Sequence, residues 1–400
     1  MSKRVRTSLA AVVALAVGLW FGGHPSWLPG PLRSVFVSQS SSQQLLDQVT
    51  NLISANYYRT VNGTKLERIA VNQGLAAAVQ TLGDPYSHYY PPAEYRSFQN
   101  AITPQVAGIG VDVSTSEVDG GTQILEVFQG SPAARAGLQR GDVIIAVNGR
   151  SLKGLSVNRS GALIRGHAGT RVRLTIRRGH RTFQRTLTRA EVFVPVAASK
   201  LLSYRGRKLG YLEFTQFAQN SAAELRTQVR RMLKAGAQGL VLDLRDNPGG
   251  LVQQAIGVAS IFIPSGTIVT TRGRNQPTVA YSALGDALAP KIPLVVLVDR
   301  GTASSAEIVT GALKDHHRAL VIGTDTYGKG VFQQIQQVTG GGALEITVGE
   351  YFTPNGQNLG AGGVKEGRGI TPNIYVYDNP QSPGRKALDV AEKTLYHELG

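Results

Sequence analysis

Between Val194 and Val376 short apolar runs alternate with helix-prone stretches, and this alternation limits the folds open to the chain more than any other feature. The pattern predicts strands at Leu209–Phe214, Gly239–Leu244, Leu294–Val298 and Ala319–Ile322, with helices at Ser221–Ala235, Leu251–Phe262 and Ser304–Leu313 between them. Strands that alternate with helices favour one sheet covered by crossover helices, an α/β architecture, which β-rich residues at Leu344–Tyr351 close.

The text upstream has a different character. From Ser40 to Pro104 apolar residues recur at helical spacing, as in Leu45, Val49, Leu52 and Ile53, and the run Leu82-Gly-Asp-Pro-Tyr-Ser87 ends a helix because Gly and Pro disfavour its continuation. From Val106 to Arg189 short β-rich runs, Thr122–Val127, Val143–Val147 and Arg171–Arg177, are separated by Gly-containing turns. A chain of 400 residues exceeds the comfortable size of one core, so two or three domains are expected.

Charge and cysteine content narrow the chemistry. The chain has no cysteine, which excludes disulfides, a thiolate nucleophile, Cys-ligated zinc and iron–sulfur clusters. Its formal net charge is +16, and residues 131–190 carry thirteen Lys/Arg against the single acid Asp142. Such a field could draw an anionic membrane, a cell-wall polymer or the carboxylate of a peptide end, while Arg171, Arg173 and Arg177, alternating along a strand, are equally explained as its solvated outer face.

Compartment is read from the N-terminus. Lys3, Arg4 and Arg6 precede the uncharged run Ser8–Gly22, the charge-then-apolar order of an export signal, here either cleaved or kept as an anchor. Residues 1–30 are therefore set aside as a signal peptide or membrane anchor. The body is expected outside the cytoplasm, in the periplasm, cell envelope or medium. Membrane or envelope association fits that placement, and nucleic acid does not.

Three loops follow the carboxyl ends of predicted strands, where ligands bind in α/β folds: Arg245–Gly250, Arg300–Ser304 and Gly323–Gly330. In the first, the paired glycines Gly249 and Gly250 let backbone amides approach an anion at the start of a helix. The second sets Thr302, Ser304 and Ser305 at a sharp strand-to-helix junction, where a hydroxyl can be an exposed nucleophile or a helix N-cap. The third matches G-x-x-x-x-G-K but has Gly330 where a nucleotide site needs Ser or Thr, and β-like text follows it, so nucleotide binding is not expected. Lys329, between two glycines, can instead lose its proton to desolvation and act as a general base. His316 lies about 18 Å from Ser304 along one helix at 1.5 Å per residue, too far to serve as that base, and with His317 is assigned to the helix C-terminus.

Together these loops resemble the carboxyl-terminal processing (tail-specific) protease family, serine peptidases with a Ser/Lys dyad and an embedded PDZ domain. Asp243–Gly250 is similar to its D-x-R-x-N-P-G-G element, Gly301–Ile308 to its nucleophile segment, and Tyr327–Gln333 to its G-K-G-x-x-Q segment. Tyr351–Gly356, Gly369–Asn373 and Leu82–Ser87 resemble further family signatures. Gly108–Val111, Ser131–Leu138, Gly141–Ile144 and Val147–Gly149 resemble a PDZ domain. After Ser304 the chain has Ser305-Ala306 where the family usually alternates Ala then Ser, and the offsets to Glu307 and Lys329 select Ser304 over Ser305 as nucleophile.

The resemblance implies a multidomain α/β protein: a helical N-terminal region (40–104), a β-rich PDZ domain (105–192), a crotonase-like protease core (193–376) and a C-terminal tail or helix (377–400). It implies catalysis by Ser304, with Lys329 as base and Gln333 holding the amine, and an oxyanion site formed by amides of Gly249 or Gly250 and of Ser305. Gly108, Ile109, Gly110 and Val111 would bind peptide C-termini, and the domain would gate the dyad. Neither metal nor cofactor is required, and the partners are proteins or peptides with accessible C-termini. A catalytically silent PDZ peptide-capture protein is the alternative from another class, and a non-peptidase acyl hydrolase is a third reading.

Overall fold

Residues 30–102, 105–115, 120–378 and 386–400 are described by the computed structural model of the protein. The expected export segment, Lys3 to Gly22, lies outside them. Among the described residues no helix is long and apolar enough to cross a membrane. The chain divides into two units. The first comprises described residues up to Phe98 with Thr271–Val279 and Val331–Tyr351, and the second comprises Gln99–Thr270, Ala280–Gly330 and Phe352–Gly400.

In the second unit, strands Gly239–Asp243 and Leu294–Val298 are buried at every residue. Such unbroken apolar runs require cover on both faces. They sit in the middle of a six-stranded sheet in the order Ala197–Tyr204, Arg207–Phe214, Gly239–Asp243, Leu294–Val298, Leu320–Gly323, Ile374–Tyr375, whose first pair is antiparallel and whose other pairs are parallel. On one face Leu209, Tyr211, Val241, Val295, Leu297 and Ile322 pack with Ala387, Leu388, Ala391 and Leu395 of helix Lys386–Glu398. Helices Ser221–Lys234, Val252–Ser260 and Ser305–Asp315 supply the crossovers between parallel strands. The expected core strands and helices are all present, with ends within two residues of those read from periodicity. Because the parallel strands follow one another across the sheet, the three candidate loops leave its same edge side by side.

The same unit contains the β-rich module. Its antiparallel sheet runs Val111–Thr115, Thr122–Val127, Val143–Val147, Arg171–Arg178, Arg181–Thr188, with Arg150–Ser151 paired to Val143–Val147. Val172, Leu174 and Ile176 face a core that includes Ile124, Ile144, Leu138 and Ile164, while Arg171 and Arg173 are exposed, the period-two pattern of a half-buried strand. Asp142 is buried and accepts from Arg178 Nε at 2.6 Å, from Arg178 Nη2 at 2.8 Å and from the Gln139 amide at 2.9 Å. Strands Gln105–Gly108 and Ala190–Phe193, at the module's entry and exit, pair antiparallel.

The first unit shows what local periodicity misses. Helices Gly30–Asn56, Gly63–Gln73 and Leu75–Gln80 contribute Val49, Ile53, Leu66, Ala70, Ala78 and Val79 to a core completed by Leu344, Ile346 and Val348 of strand Ala343–Phe352. His88–Tyr90 pairs antiparallel with that strand, and Tyr90 Oη donates to Glu345 Oε2 at 2.7 Å across 255 residues of chain. The helical region is thus completed by strands drawn from residues 331–351.

Candidate active site

Hydrogen bonds join the three loops. Thr302 Oγ1 donates to Leu244 O at 2.8 Å, the Ala303 amide to Asn247 O at 2.9 Å, and the Tyr327 amide to Thr302 O at 2.9 Å. Asp299 Oδ1 gathers the amides of Asp246, Gly301 and Thr302 at 2.9–3.1 Å. Beneath the first loop Asp243 is nearly buried, receives Tyr211 Oη at 2.7 Å and pairs with Arg245, which also reaches Asp378 at 2.9 Å. Burial and then Asp243 push the Tyr211 phenol well above its ordinary range, so it remains a donor.

Ser304 stands at the junction of strand, turn and helix with φ 54° and ψ −117°. A non-glycine residue held at positive φ costs about 1–3 kcal/mol and persists only where its surroundings impose it. Such a strained turn between a strand and a helix projects a serine hydroxyl clear of both elements. The surroundings include Gly249, at φ +95°, whose Cα lies so close that a Cβ there would sit 2.6 Å from Ala303 O, 2.8 Å from Ser304 Cβ and 2.9 Å from Ser305 N.

Glu307 binds the serine segment to the lysine segment. Its side chain is fully buried at 0% exposure, yet every partner is a donor. Oε2 accepts from the Ser304 amide at 2.8 Å and the Lys329 amide at 3.0 Å, and Oε1 accepts from Thr326 Oγ1 at 2.6 Å and the Gly328 amide at 2.7 Å. Two amides within 2.8 and 3.0 Å of one oxygen are at most 5.8 Å apart, so Ser304 and Lys329 are neighbours in space although 25 residues separate them. Burial raises the Glu307 pKa, and its four donors pull it back only in part. Lys329 itself is half-buried and makes an antiparallel bridge with Val364, and Gly330 N donates to Gly363 O at 3.0 Å. The chain continues into strand Val331–Gln337, so the G-x-x-x-x-G-K text opens no helix, as expected.

The expected anion site narrows. The Gly249 amide is already committed to Asn247 Oδ1 at 2.9 Å, and Asn247 is anchored in turn by Nδ2 donating to Phe214 O at 2.7 Å. Among the described residues none accepts from the amides of Gly250 and Ser305, while Ser305 Oγ donates to Gly250 O at 2.8 Å and so ties the two residues together. Gly249 serves the site by its missing side chain, whereas Gly250 and Ser305 offer the open donors.

His316 caps helix Ser305–Asp315 at its C-terminus, and its Nε2 lies 2.7 Å from Thr267 O, the end of the helix away from Ser304. Gln333 belongs to the first unit, on strand Val331–Gln337, where Nε2 donates to Thr347 Oγ1 at 3.1 Å. Gly108, Ile109, Gly110 and Val111 line a cavity of about 190 Å³ in the β-rich module.

Sequence reading passed over Glu307, Asn247 and Asp299 as working residues. A signal existed for the first: Ser304-x-x-Glu307 is the capping-box spacing, which sends the glutamate back to the amide of the residue before the helix. Asn247 stands in the D-x-R-x-N-P-G-G element with no role assigned to it, and for both Asn247 and Asp299 the contact that ties one segment to another, to Phe214 O and from the Asp246 amide respectively, has no local signal.

The model of peptidase family S41 matches residues 208–376 and that of a PDZ domain residues 123–178. The chain is 34% identical to the carboxyl-terminal-processing protease of a Synechocystis strain, over 98% of this chain and 94% of that protein. It is also 34% identical to the carboxy-terminal processing protease CtpA of Bacillus subtilis, over 89% of this chain and 74% of that one. Among solved structures it is similar to a photosystem II D1 C-terminal processing protease, with a TM-score of 0.55 at 28% identity, covering 84% of this chain and 93% of that one.

Proposed function

The chain belongs to peptidase family S41, among carboxyl-terminal-processing serine proteases that carry a PDZ domain, and from that premise we propose that it is an exported endopeptidase working through a Ser304/Lys329 dyad. Ser304 Oγ attacks the peptide carbonyl, and the neutral amine of Lys329 takes its proton. The amides of Gly250 and Ser305 receive the developing oxyanion, each donor worth about 3 kcal/mol in the transition state. The proton then passes to the leaving amine, and water releases the acyl group from Ser304.

One observation carries this reading: a single buried oxygen, Glu307 Oε2, accepts from the backbones of both Ser304 and Lys329. A peptide-capture scaffold would have no use for a strained serine and a lysine fastened together. Substrates are proteins whose C-termini reach the PDZ domain, which controls access to the dyad. Export rests on the charge-then-apolar order of Lys3–Gly22 and leaves cleavage and anchoring both open.

Turnover of a fluorogenic unstructured peptide tests the dyad. Ser304→Ala and Lys329→Ala should each fall to background, and the wild-type rate should drop on acidification as Lys329 takes up a proton. Ordinary turnover by either variant removes the mechanism. Binding of the peptide by the wild type without any cleavage would favour the capture protein instead.

A further inference from the structure

Lys329 is held from two sides. Glu307 accepts its amide on one side, and on the other the backbone of residues 326–330 runs antiparallel to residues 363–370 of the same unit. Gly330 N donates to Gly363 O at 3.0 Å, Lys365 N to Gly328 O at 3.0 Å and Gly367 N to Tyr327 O at 2.7 Å, while Val364 bridges to Lys329 itself. At the far end Ile370 N donates to Thr326 Oγ1 at 2.7 Å, and Gly369 passes so near Glu307 that a Cβ there would collide with Oε1. Residues 358–370 thus form a strap along the lysine segment, pinned near its two ends by the buried side chains of Leu359 and Ile370.

Between those ends the strap has little of its own to fold around. Five of residues 360–369 are glycine, and Ala361, Lys365, Glu366 and Arg368 are exposed. Glycine loses more conformational freedom on ordering than any other residue, so such a segment needs an outside hold. One side chain supplies it. Asn358, set by an antiparallel bridge to Phe352, accepts at Oδ1 from the amides of both Gly360 and Gly362, each at 2.9 Å. Asn side chains commonly close a turn in this way, by bonding the backbone that follows them. The same oxygen lies against the neighbour of Lys329: a Cβ on Gly330 would sit 2.7 Å from Asn358 Oδ1 and 2.8 Å from Gly363 O.

We infer that Asn358 is a positioning residue for the general base: by holding the Gly360 and Gly362 amides it folds the strap whose backbone fixes where Lys329 begins its reach towards Ser304. This rests on the Ser304/Lys329 reading above and adds to it a residue and a device. Glu307 holds the peptide unit that enters Lys329, through the Lys329 amide, and the strap holds the flanking groups Gly328 O and Gly330 N. A lysine set between two glycines is otherwise free to turn about both neighbours. Asn358 acts through Lys329 and not by contact with the peptide, so its loss slows the chemical step and leaves substrate binding in place.

Steady-state turnover of a fluorogenic unstructured peptide by full-length variants tests this, with each rate taken per folded molecule from a thermal melt. Asn358→Leu keeps the bulk of the side chain and removes its acceptor. Its kcat should fall about 10- to 100-fold, the effect of misplacing a reacting group by up to about 1 Å, with KM within about twofold of wild type. Asn358→Asp keeps an acceptor oxygen in place and should return kcat to within about threefold of wild type. Asn358→Ser, too short to reach both amides, should lose kcat in the same sense as the leucine variant and replaces it if that variant does not fold. An unchanged kcat in Asn358→Leu, a loss in Asn358→Asp as large as in Asn358→Leu, or a loss carried by KM alone overturns the role of Asn358. The two readings fail separately. Background turnover by Lys329→Ala beside normal kcat in Asn358→Leu removes the strap and spares the dyad, whereas ordinary turnover by Lys329→Ala removes both.

Discussion

Replacing Glu307 by glutamine probes the joint on which the proposed chemistry depends. Thr326 Oγ1 accepts from Ile370 N at 2.7 Å, so its own proton points to the carboxylate, and all four groups around Glu307 are donors. An amide of the same shape has one acceptor oxygen and can serve two of them. The other two then face an N–H group in a site of 0% exposure. Each stranded buried donor costs about 1–3 kcal/mol, or about 2–6 kcal/mol for the pair. Part returns because a charge need no longer be buried, and burial is the leading cause of the raised pKa. A net loss of about 2–4 kcal/mol is expected. Whichever oxygen is lost, either the amides of Ser304 and Lys329 or the Thr326–Gly328 support beneath Lys329 must shift. A displacement of about 1 Å between reacting groups costs about 100-fold in rate. Urea unfolding of Glu307→Gln in the Ser304→Ala background reads the first figure, and peptide turnover by Glu307→Gln alone reads the second. An unchanged midpoint together with wild-type turnover would refute the idea that this carboxylate holds the two segments in place.

Other substitutions separate the site from its scaffold. Gly249→Ala should reduce turnover more than 100-fold and cost about 2–4 kcal/mol, because the new methyl meets Ala303 O, Ser304 Cβ and Ser305 N at a φ of +95°, and a folded variant with normal turnover would contradict the packing described. Arg318 donates Nε to Phe262 O at 3.1 Å and Nη2 to Ala289 O at 2.6 Å and Ile292 O at 2.7 Å, and its burial lowers its pKa. Arg318→Met should therefore lower the melting temperature by the equivalent of about 2–4 kcal/mol through three stranded carbonyls, while turnover per folded molecule in the cold stays near wild type.

Local chemistry is what sequence carries, and the strands and helices read from it in the α/β region agree with the structure. Apolar runs such as GLVLD and LVVLV announce buried parallel strands because each residue's surroundings are of one kind. A glycine pair after one strand and a cluster of hydroxyls after the next mark loops at the carboxyl ends of a sheet, and the structure places them there. The alternation of Arg171, Arg173 and Arg177 left an outer strand face as one explanation, and the structure exposes Arg171 and Arg173 while Arg177 is half-buried.

Tertiary structure alone decided who meets whom. That Ala343–Phe352 completes the core of the N-terminal helices depends on pairing across 255 residues, and β pairing leaves no mark of its partner in either strand. That the Gly249 amide is spent on Asn247, leaving Gly250 and Ser305 open, depends on a side chain anchored to Phe214 O. The capping-box spacing foretells that Glu307 reaches back to Ser304, but only folding brings Thr326, Gly328 and Lys329 to the same carboxylate. A helix start is a property of neighbouring residues, whereas satisfying a buried charge is a property of everything that surrounds it.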